Sequence, residues 1–242
     1  MNYKSILKYC FCAVLFSFLA VGMAGAQQKN FPEEVFPAEV GDIRITFLGH
    51  GTLMFTYAGK VIHVDPVSAQ ADYGTLPNAD FILVTHEHGD HLDVKAIQAA
   101  ATSRTTLITN QASAKSLNNV TVMRNGDTHT VDGITIEAVP AYNPDKQFHP
   151  KGNGNGYVIT LGGKRIFVAG DTEDVPEIKA LKDIDIAFLP MNLPFTMTPE
   201  QVADTAKAMR PGILFPYHYG NTDTNILLRL MENEKDIEVR IR

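Results

Sequence analysis

The sequence predicts an α+β fold: two mixed β-sheets packed face to face, with helices on their outer faces. Three observations carry this expectation. Short strand-like runs dominate the first half and come as hairpins, later runs alternate with helical patterns, and no Pro/Gly/Ser-rich linker divides the chain. A sheet must cover its apolar face, and many strands with few, late helices are satisfied by two sheets sharing one core. At 242 residues, 45% hydrophobic and 20% charged, the chain is long enough to build that core.

The N-terminal segment is read apart from the fold. Lys4 and Lys8 precede an uncharged apolar stretch from Tyr9 to Val21, and Ala24-Gly25-Ala26 offers a small-x-small cleavage site. This is the layout of a secretory signal peptide, and its strongly apolar part is short for a span of about 20 residues. The expectation is a signal peptide over 1–26 and a single domain over 27–242. The protein would be exported, periplasmic or secreted, with no stable membrane anchor after cleavage. Removing Lys4 and Lys8 takes Lys+Arg from 21 to 19 against 27 Asp+Glu, about −8, which argues against a nucleic-acid partner held through phosphates. Both cysteines, Cys10 and Cys12, lie in the removed segment, so the domain has no disulfide and no thiolate metal ligand.

Taken in order, a Pro-containing lead (Phe31-Pro32 to Pro37) precedes strand patterns at Ile43–Leu48, Leu53–Tyr57 and Lys60–Asp65, with Ala58-Gly59 as a hairpin turn. Phe81–Thr85 is a nearly continuous apolar run, as expected of a strand buried on both faces. Val94–Ala101 reads as a short helix. Thr106–Thr109 and Val120–Met123 are short strands, and Gly133–Val139 alternates cleanly. His129 reads as part of a surface turn. The polar loop Asn143–Gly156 leads into the hairpin Tyr157–Leu161, Gly162-Gly163, Arg165–Ala169, and Ile184–Leu189 is a further buried strand. Thr198-Pro199-Glu200-Gln201 carries a capping-box pattern with Pro at the first helical position, and Pro211 ends that helix. Ile213–Phe215 is a strand, Thr224–Met231 a helix, and Ile237–Ile241 a last strand. The glycines of Gly152–Gly156 precede a strand and open no helix, so they are not a dinucleotide fingerprint.

The chemistry concentrates at Thr85-His86-Glu87-His88-Gly89-Asp90-His91, directly after Phe81-Ile82-Leu83-Val84. His86 and His88 sit two apart on extended chain and can converge on one ion. Asp90 and His91 follow a turn at Gly89 and can reach a second ion about 3.5–4 Å away. A set of imidazoles and carboxylates suits divalent cations: zinc by default, with manganese or iron as alternatives. Asp171 follows the strand Arg165–Ala169 and a Gly, and His218 follows the strand Ile213–Phe215 and Pro216, so both stand where strand ends can present ligands. His63 reads as a packing residue.

The H-x-H-x-D-H loop after an apolar strand resembles the signature of the metallo-β-lactamase superfamily, whose fold is an αβ/βα four-layer sandwich with a dinuclear site at one edge of its sheets. Leu48-Gly49-His50-Gly51-Thr52 resembles the early hairpin of the UlaG-like (ascorbate-6-phosphate-lactonase-like) branch. Val64-Asp65-Pro66, Ala169-Gly170-Asp171-Thr172 and Pro216-Tyr217-His218-Tyr219-Gly220 resemble later motifs. The resemblance implies that Asp171 bridges two ions and that His218 joins Asp90 and His91 on the second. It also implies a histidine just after Ile134–Val139, where this chain has Asn143. His149 is therefore expected to fold back and complete the first ion's set with His86 and His88.

The implied function is an exported binuclear hydrolase, in which metal-activated hydroxide cleaves an ester, lactone or phosphodiester of a small molecule, and Asp90 serves as both ligand and catalytic residue. His50 and Asp65 are expected to support the ligands, since metal-bound imidazoles give their other N–H to a carboxylate or carbonyl. Lys151, Tyr217 and Tyr219 are candidates for substrate contact by their closeness to His149 and His218, with Lys151 suited to an anionic group. Two other functions fit the same motifs: a non-catalytic metal-binding or sensor protein, and a β-lactamase, though the subclass with a Cys ligand is excluded.

Overall fold

Two seven-stranded sheets run the same course twice. In the first, β1 (Glu33–Ala38), β2 (Gly41–Gly49), β3 (Thr52–Tyr57) and β4 (Lys60–Val64) form an antiparallel meander. β5 (Phe81–Val84), β6 (Thr106–Thr109) and β7 (Val120–Val122) then add in parallel. In the second, β8 (Thr128–Val131), β9 (Ile134–Ala141), β10 (Gly154–Leu161) and β11 (Lys164–Val168) are antiparallel, followed by parallel β12 (Ile186–Pro190), β13 (Ile213–Tyr217) and β14 (Glu238–Val239). Parallel neighbours require crossovers. These carry α1 (Val94–Ala100), α2 (Pro176–Lys179), α3 (Pro199–Met209) and α4 (Thr224–Met231). This computed structural model describes residues 29–242; the expected signal segment 1–26 lies outside the described residues. Among the described residues, no helix is long and apolar enough to cross a membrane.

The apolar runs explain the layering. Along β5, Phe81 and Leu83 enter the core between the sheets, while Ile82 and Val84 face the other way, onto α1 residues Ala96, Ile97 and Ala100. Along β12, Ile186 and Phe188 point into the same central core, whereas Ala187 and Leu189 pack with Val202, Ala206 and Met209 of α3 and Leu227 of α4. With a side-chain period of two, a strand covered on both faces has to be apolar throughout. The four-layer sandwich follows, as expected. Phe55 meets Phe188 edge-on across the sheets (centroids 6.1 Å apart) and Phe188 stacks on Phe215 (5.1 Å).

Helix α3 starts as its sequence dictates. Thr198 accepts from the Gln201 N–H and the Gln201 side chain accepts from the Thr198 N–H. Three elements depart from expectation. β1 forms where a lead was expected; it is an edge strand, so Pro37 needs no ladder partner on its open side. β8 places His129 in the opposite edge strand rather than in a turn. The single turn of α2 has Val175 at its N-cap, with no side-chain capping bond to announce it. His63 is buried, its Nε2–H donating to Pro77 O (3.0 Å).

Candidate metal centre

The site sits where strands end. β4 delivers Asp65; β5 delivers Thr85 and the cluster His86–His91; the β2–β3 turn carries His50; and the segments after β9, β11 and β13 bring Asn143 and His149, Asp171, and His218. The two sheets thus contribute from both sides of one edge. His50, Asp65, His149 and His218 all have left-handed φ values (52°, 47°, 62° and 48°), which non-glycine residues seldom adopt. Such strain persists only where the surroundings over-determine it, commonly at functional sites.

Asp65 organises the first strand end. It is fully buried; its Oδ1 accepts from Thr85 N–H (2.7 Å), and its Oδ2 from the Thr85 hydroxyl (2.7 Å) and His91 Nδ1–H (2.8 Å). Thr85 Oγ1 in turn accepts from His86 Nδ1–H (3.0 Å). One carboxylate therefore holds His91 directly and His86 through a hydroxyl, and both Nε2 lone pairs are left facing the site. His88 O accepts from the His91 and Leu92 N–H groups, and Asp93 caps α1, which closes the turn between His88 and His91.

The later segments are clamped as firmly. Gly170 (φ 66°) donates its N–H to Tyr217 OH (2.9 Å), aiming Asp171 inward. His218 N–H donates to His50 O (3.1 Å), and the His50 and His218 rings lie 3.7 Å apart. His149 reaches in: its Nε2 is 3.0 Å from His88 Nδ1 and 3.3 Å from Asp171 Oδ2. Asn143 stands behind it rather than in its place. Asn143 N–H donates to His149 O (2.8 Å), and its carboxamide donates to Phe195 O and faces His149 Nδ1 at 3.0 Å. Asn143 Oδ1 is itself buried without a hydrogen-bond partner.

Three groups have ligand atoms within 4.8 Å of one another: His86, His88 and His149; His50, Asp90, His91 and His218; and His86, His91 and Asp171. The two Asp171 oxygens divide between them. Oδ1 lies 3.3 Å from His91 Nε2 and 3.6 Å from His218 Nε2, while Oδ2 lies 3.3 Å from His149 Nε2 and 3.9 Å from His86 Nε2. His50 Nε2 and His218 Nε2 flank Asp90 Oδ2 at 3.0 and 3.4 Å.

The residues fit cations. Among the described residues, His86 Nε2, His91 Nε2, His218 Nε2 and Asp171 Oδ1 are buried without a hydrogen-bond partner, and all converge on the same space. Buried polar atoms are seldom orphaned. The electrostatics agree. Hydrogen bonding from His218 and His50 holds the Asp90 carboxyl well below the usual carboxylate range. Burial would push Asp171 up, but His91 and the other imidazoles hold it far down. Burial, then the charge on His91, drives His86 well below an ordinary imidazole, leaving a neutral ligand. His91 is opposed by burial yet raised by Asp171 and Asp65 on either side, so these two carboxylates favour a positive charge at its Nε2, a place that a cation would take from the proton.

Two of the expected substrate contacts are corrected. Tyr217 is packed in the core between the sheets with its hydroxyl committed to Gly170, so it braces the Asp171 turn. Lys151 Nζ donates to Glu177 Oε1 (3.0 Å) and Tyr142 OH (3.1 Å), and Lys151 does not line the cleft over the ligands. Tyr219 lines a groove beside His50 and His218, its hydroxyl donating to Arg242 O. The cleft itself, about 360 Å³, is bordered by Phe148, Asn192 and Phe195 together with His88, Asp90, His149, Asp171 and His218. These three residues, and Thr85 and Gly51, were not singled out from the sequence. Gly51 had a readable signal in Gly49-His50-Gly51: a Cβ there would meet His91 Cε1 at 2.7 Å and His218 Cδ2 at 3.3 Å.

Fold and ligand cluster together define a metal-dependent hydrolase of the metallo-β-lactamase fold. The model of the beta-lactamase superfamily domain matches residues 44–218. A UPF0173 metal-dependent hydrolase of Thermococcus kodakarensis is 33% identical over 191 residues, 73% of this chain and 84% of that protein; one from Thermus thermophilus is 32% identical over 193 residues, with the same coverage. The crystal structure of a Parabacteroides distasonis protein described as a metal-dependent hydrolase shares 51% identity and a TM-score of 0.85, covering 88% of this chain and 99% of that one. The metallo-beta-lactamase fold protein YhfI of Bacillus subtilis, 17% identical with a TM-score of 0.66 over 80% of this chain and 88% of that one, shares the fold. The chain belongs to the metallo-β-lactamase superfamily and, within it, to the UPF0173 metal-dependent hydrolases.

Proposed function

We propose that this protein is an exported binuclear hydrolase that cleaves an ester or lactone, or a phosphodiester, of a small molecule. The observation that carries the reading is the split of Asp171, one oxygen toward His91 and His218 and the other toward His86 and His149. His86, His88 and His149 would hold one ion, and Asp90, His91 and His218 the other, with Asp171 shared. His50 either orients Asp90 or joins the second set. Two divalent cations, zinc by default and manganese or iron as alternatives, would supply a water whose pKa is lowered towards about 7 and would neutralise charge developing on a substrate oxygen.

The chain's own residues do the rest. Asp65 and Thr85 hold His91 and His86 in the tautomers that ligate. Asp90, half exposed at the cleft while Oδ2 is flanked by His50 and His218, is placed to orient an attacking water. The Gly49-His50-Gly51 turn supports kinship with the UlaG-like branch, and the pattern Lys4, Lys8, Tyr9–Val21, Ala24-Gly25-Ala26 supports export with 27–242 as the working domain.

The test is metal stoichiometry with turnover. Chelator-stripped protein titrated with Zn²⁺ should take up two ions, and Asp171→Ala should weaken both. The loaded protein should cleave p-nitrophenyl esters, simple lactones or bis-p-nitrophenyl phosphate. Saturation at one ion per chain would overturn the binuclear reading.

A further inference from the structure

We infer that the substrate carries an uncharged, apolar acyl or aryl group beside the bond that is cut, and that Phe148 and Phe195 are the residues that select it. The inference rests on the hydrolase reading above and narrows its substrate class to apolar esters or lactones.

Six large hydrophobic side chains are exposed among the described residues, and three of them, Phe148, Leu193 and Phe195 (45%, 45% and 41% exposed), belong to the two loops at the cleft. A lone exposed apolar residue means little, but a clustered patch at a cleft marks a binding surface. The Phe148 and Phe195 rings stand 5.8 Å apart at 61°, and Phe148 meets His88 edge-on at 6.3 Å. The aromatic wall therefore begins at the metal-facing imidazoles.

The wall is also held in place. Asn143 donates its backbone N–H to His149 O and its carboxamide to Phe195 O, so one residue ties together the loop carrying Phe148 and the loop carrying Phe195. Burying a substrate group there costs little ordering of the protein.

Charge points the same way. Among the described residues no Lys or Arg lines the cleft, and its polar group beyond the histidines and aspartates is the neutral Asn192. The nearby lysines are engaged: Lys146 with Thr196 O and Glu173, Lys151 with Glu177 and Tyr142. A phosphate or carboxylate on the substrate would meet no Lys or Arg among the described lining residues, whereas phosphate recognition usually draws on Arg or Lys. In the reaction, the oxygen of water bonds to the acyl carbon and the acyl C–O bond breaks. The departing alkoxide takes a proton from that water, giving one acid and one alcohol.

The test uses zinc-loaded protein with p-nitrophenyl acetate, butyrate, hexanoate and hemisuccinate, alongside bis-p-nitrophenyl phosphate. We expect kcat/KM to rise with acyl length, by up to roughly fourfold per methylene, and butyrate to exceed hemisuccinate. In the double variant Phe148→Ala/Phe195→Ala the hexanoate-to-acetate ratio should fall towards one. A flat wild-type series, preference for hemisuccinate, or an unchanged ratio in the double variant would overturn the inference. Binding of the uncleavable ketone hexanophenone, followed by saturation-transfer NMR, is read without turnover. Loss of its signal in the double variant supports the apolar site and equal signal refutes it. Absence of any turnover across the panel would count against the hydrolase reading alone, with the ketone still deciding this one.

Discussion

Asp65→Asn probes the support of the site without emptying it. Asp65 Oδ2 accepts two hydrogen bonds, from Thr85 Oγ1 and His91 Nδ1, and Oδ1 accepts one, from Thr85 N–H. An asparagine of the same shape will turn its NH₂ toward the position with one donor rather than two. The Thr85 N–H is then left facing another donor in a fully buried place, which costs about 1–3 kcal/mol of stability. His91 keeps an oxygen partner but loses the carboxylate charge, and His86 loses the polarisation relayed through Thr85. Losing such an outer partner typically weakens metal binding 10–100-fold, about 1.4–2.8 kcal/mol. Because Asp65 supports one ligand from each set, both ions should be affected. Thr85→Val cuts the branch to His86 and leaves His91 on Asp65, so it should weaken only the set containing His86, His88 and His149. Zinc titration calorimetry on stripped protein, with urea unfolding for stability, reads both variants. Wild-type zinc affinity in Asp65→Asn, or equal effects of the two variants on both ions, would refute the relay.

Two further expectations follow from particular contacts. Gly51→Ala places a Cβ 2.7 Å from His91 Cε1 and 3.3 Å from His218 Cδ2; circular dichroism should show the fold retained while metal analysis after gel filtration shows one ion lost or bound roughly 10-fold more weakly. Full retention of both ions would contradict it. His63 is held below its ordinary value of 6.5 by burial, against the opposing bond to Pro77 O. The unfolded chain therefore takes up this proton first, so the contribution to stability is complete above about pH 6.5 and is lost as pH falls. His63→Gln should flatten the fall in stability between pH 7.5 and 5, measured by urea unfolding in chelator; an unchanged slope would show that His63 does not titrate on unfolding.

The buried strands were legible because tertiary burial and local pattern agree there. Phe81–Val84 and Ile186–Leu189 are apolar at every position, and the structure covers both faces of each. The cap of α3 was legible because its bonds close within four residues. The edge strands β1 and β8 were not, since an edge strand may be polar and interrupted by Pro37 without penalty. Within the site, the cluster His86–His91 could be read because its spacing is local. The wall of Phe148 and Phe195 could not, since two phenylalanines 47 positions apart become neighbours only through the Asn143 clamp.

By itself the sequence determined the layering, the strand ends that carry ligands and the metal-binding character of the chain, because side-chain period and ligand chemistry are local properties. Only the tertiary structure decided that Asn143 stands behind His149, that Asp171 turns one oxygen to each set, and that Lys151 and Tyr217 are spent on Glu177 and Gly170. Those outcomes depend on contacts between distant strand ends and on left-handed backbone at His50, Asp65, His149 and His218. Asp and His enter that conformation more readily than most side chains, yet nothing local requires it at these four positions; the packing of two sheets holds it there.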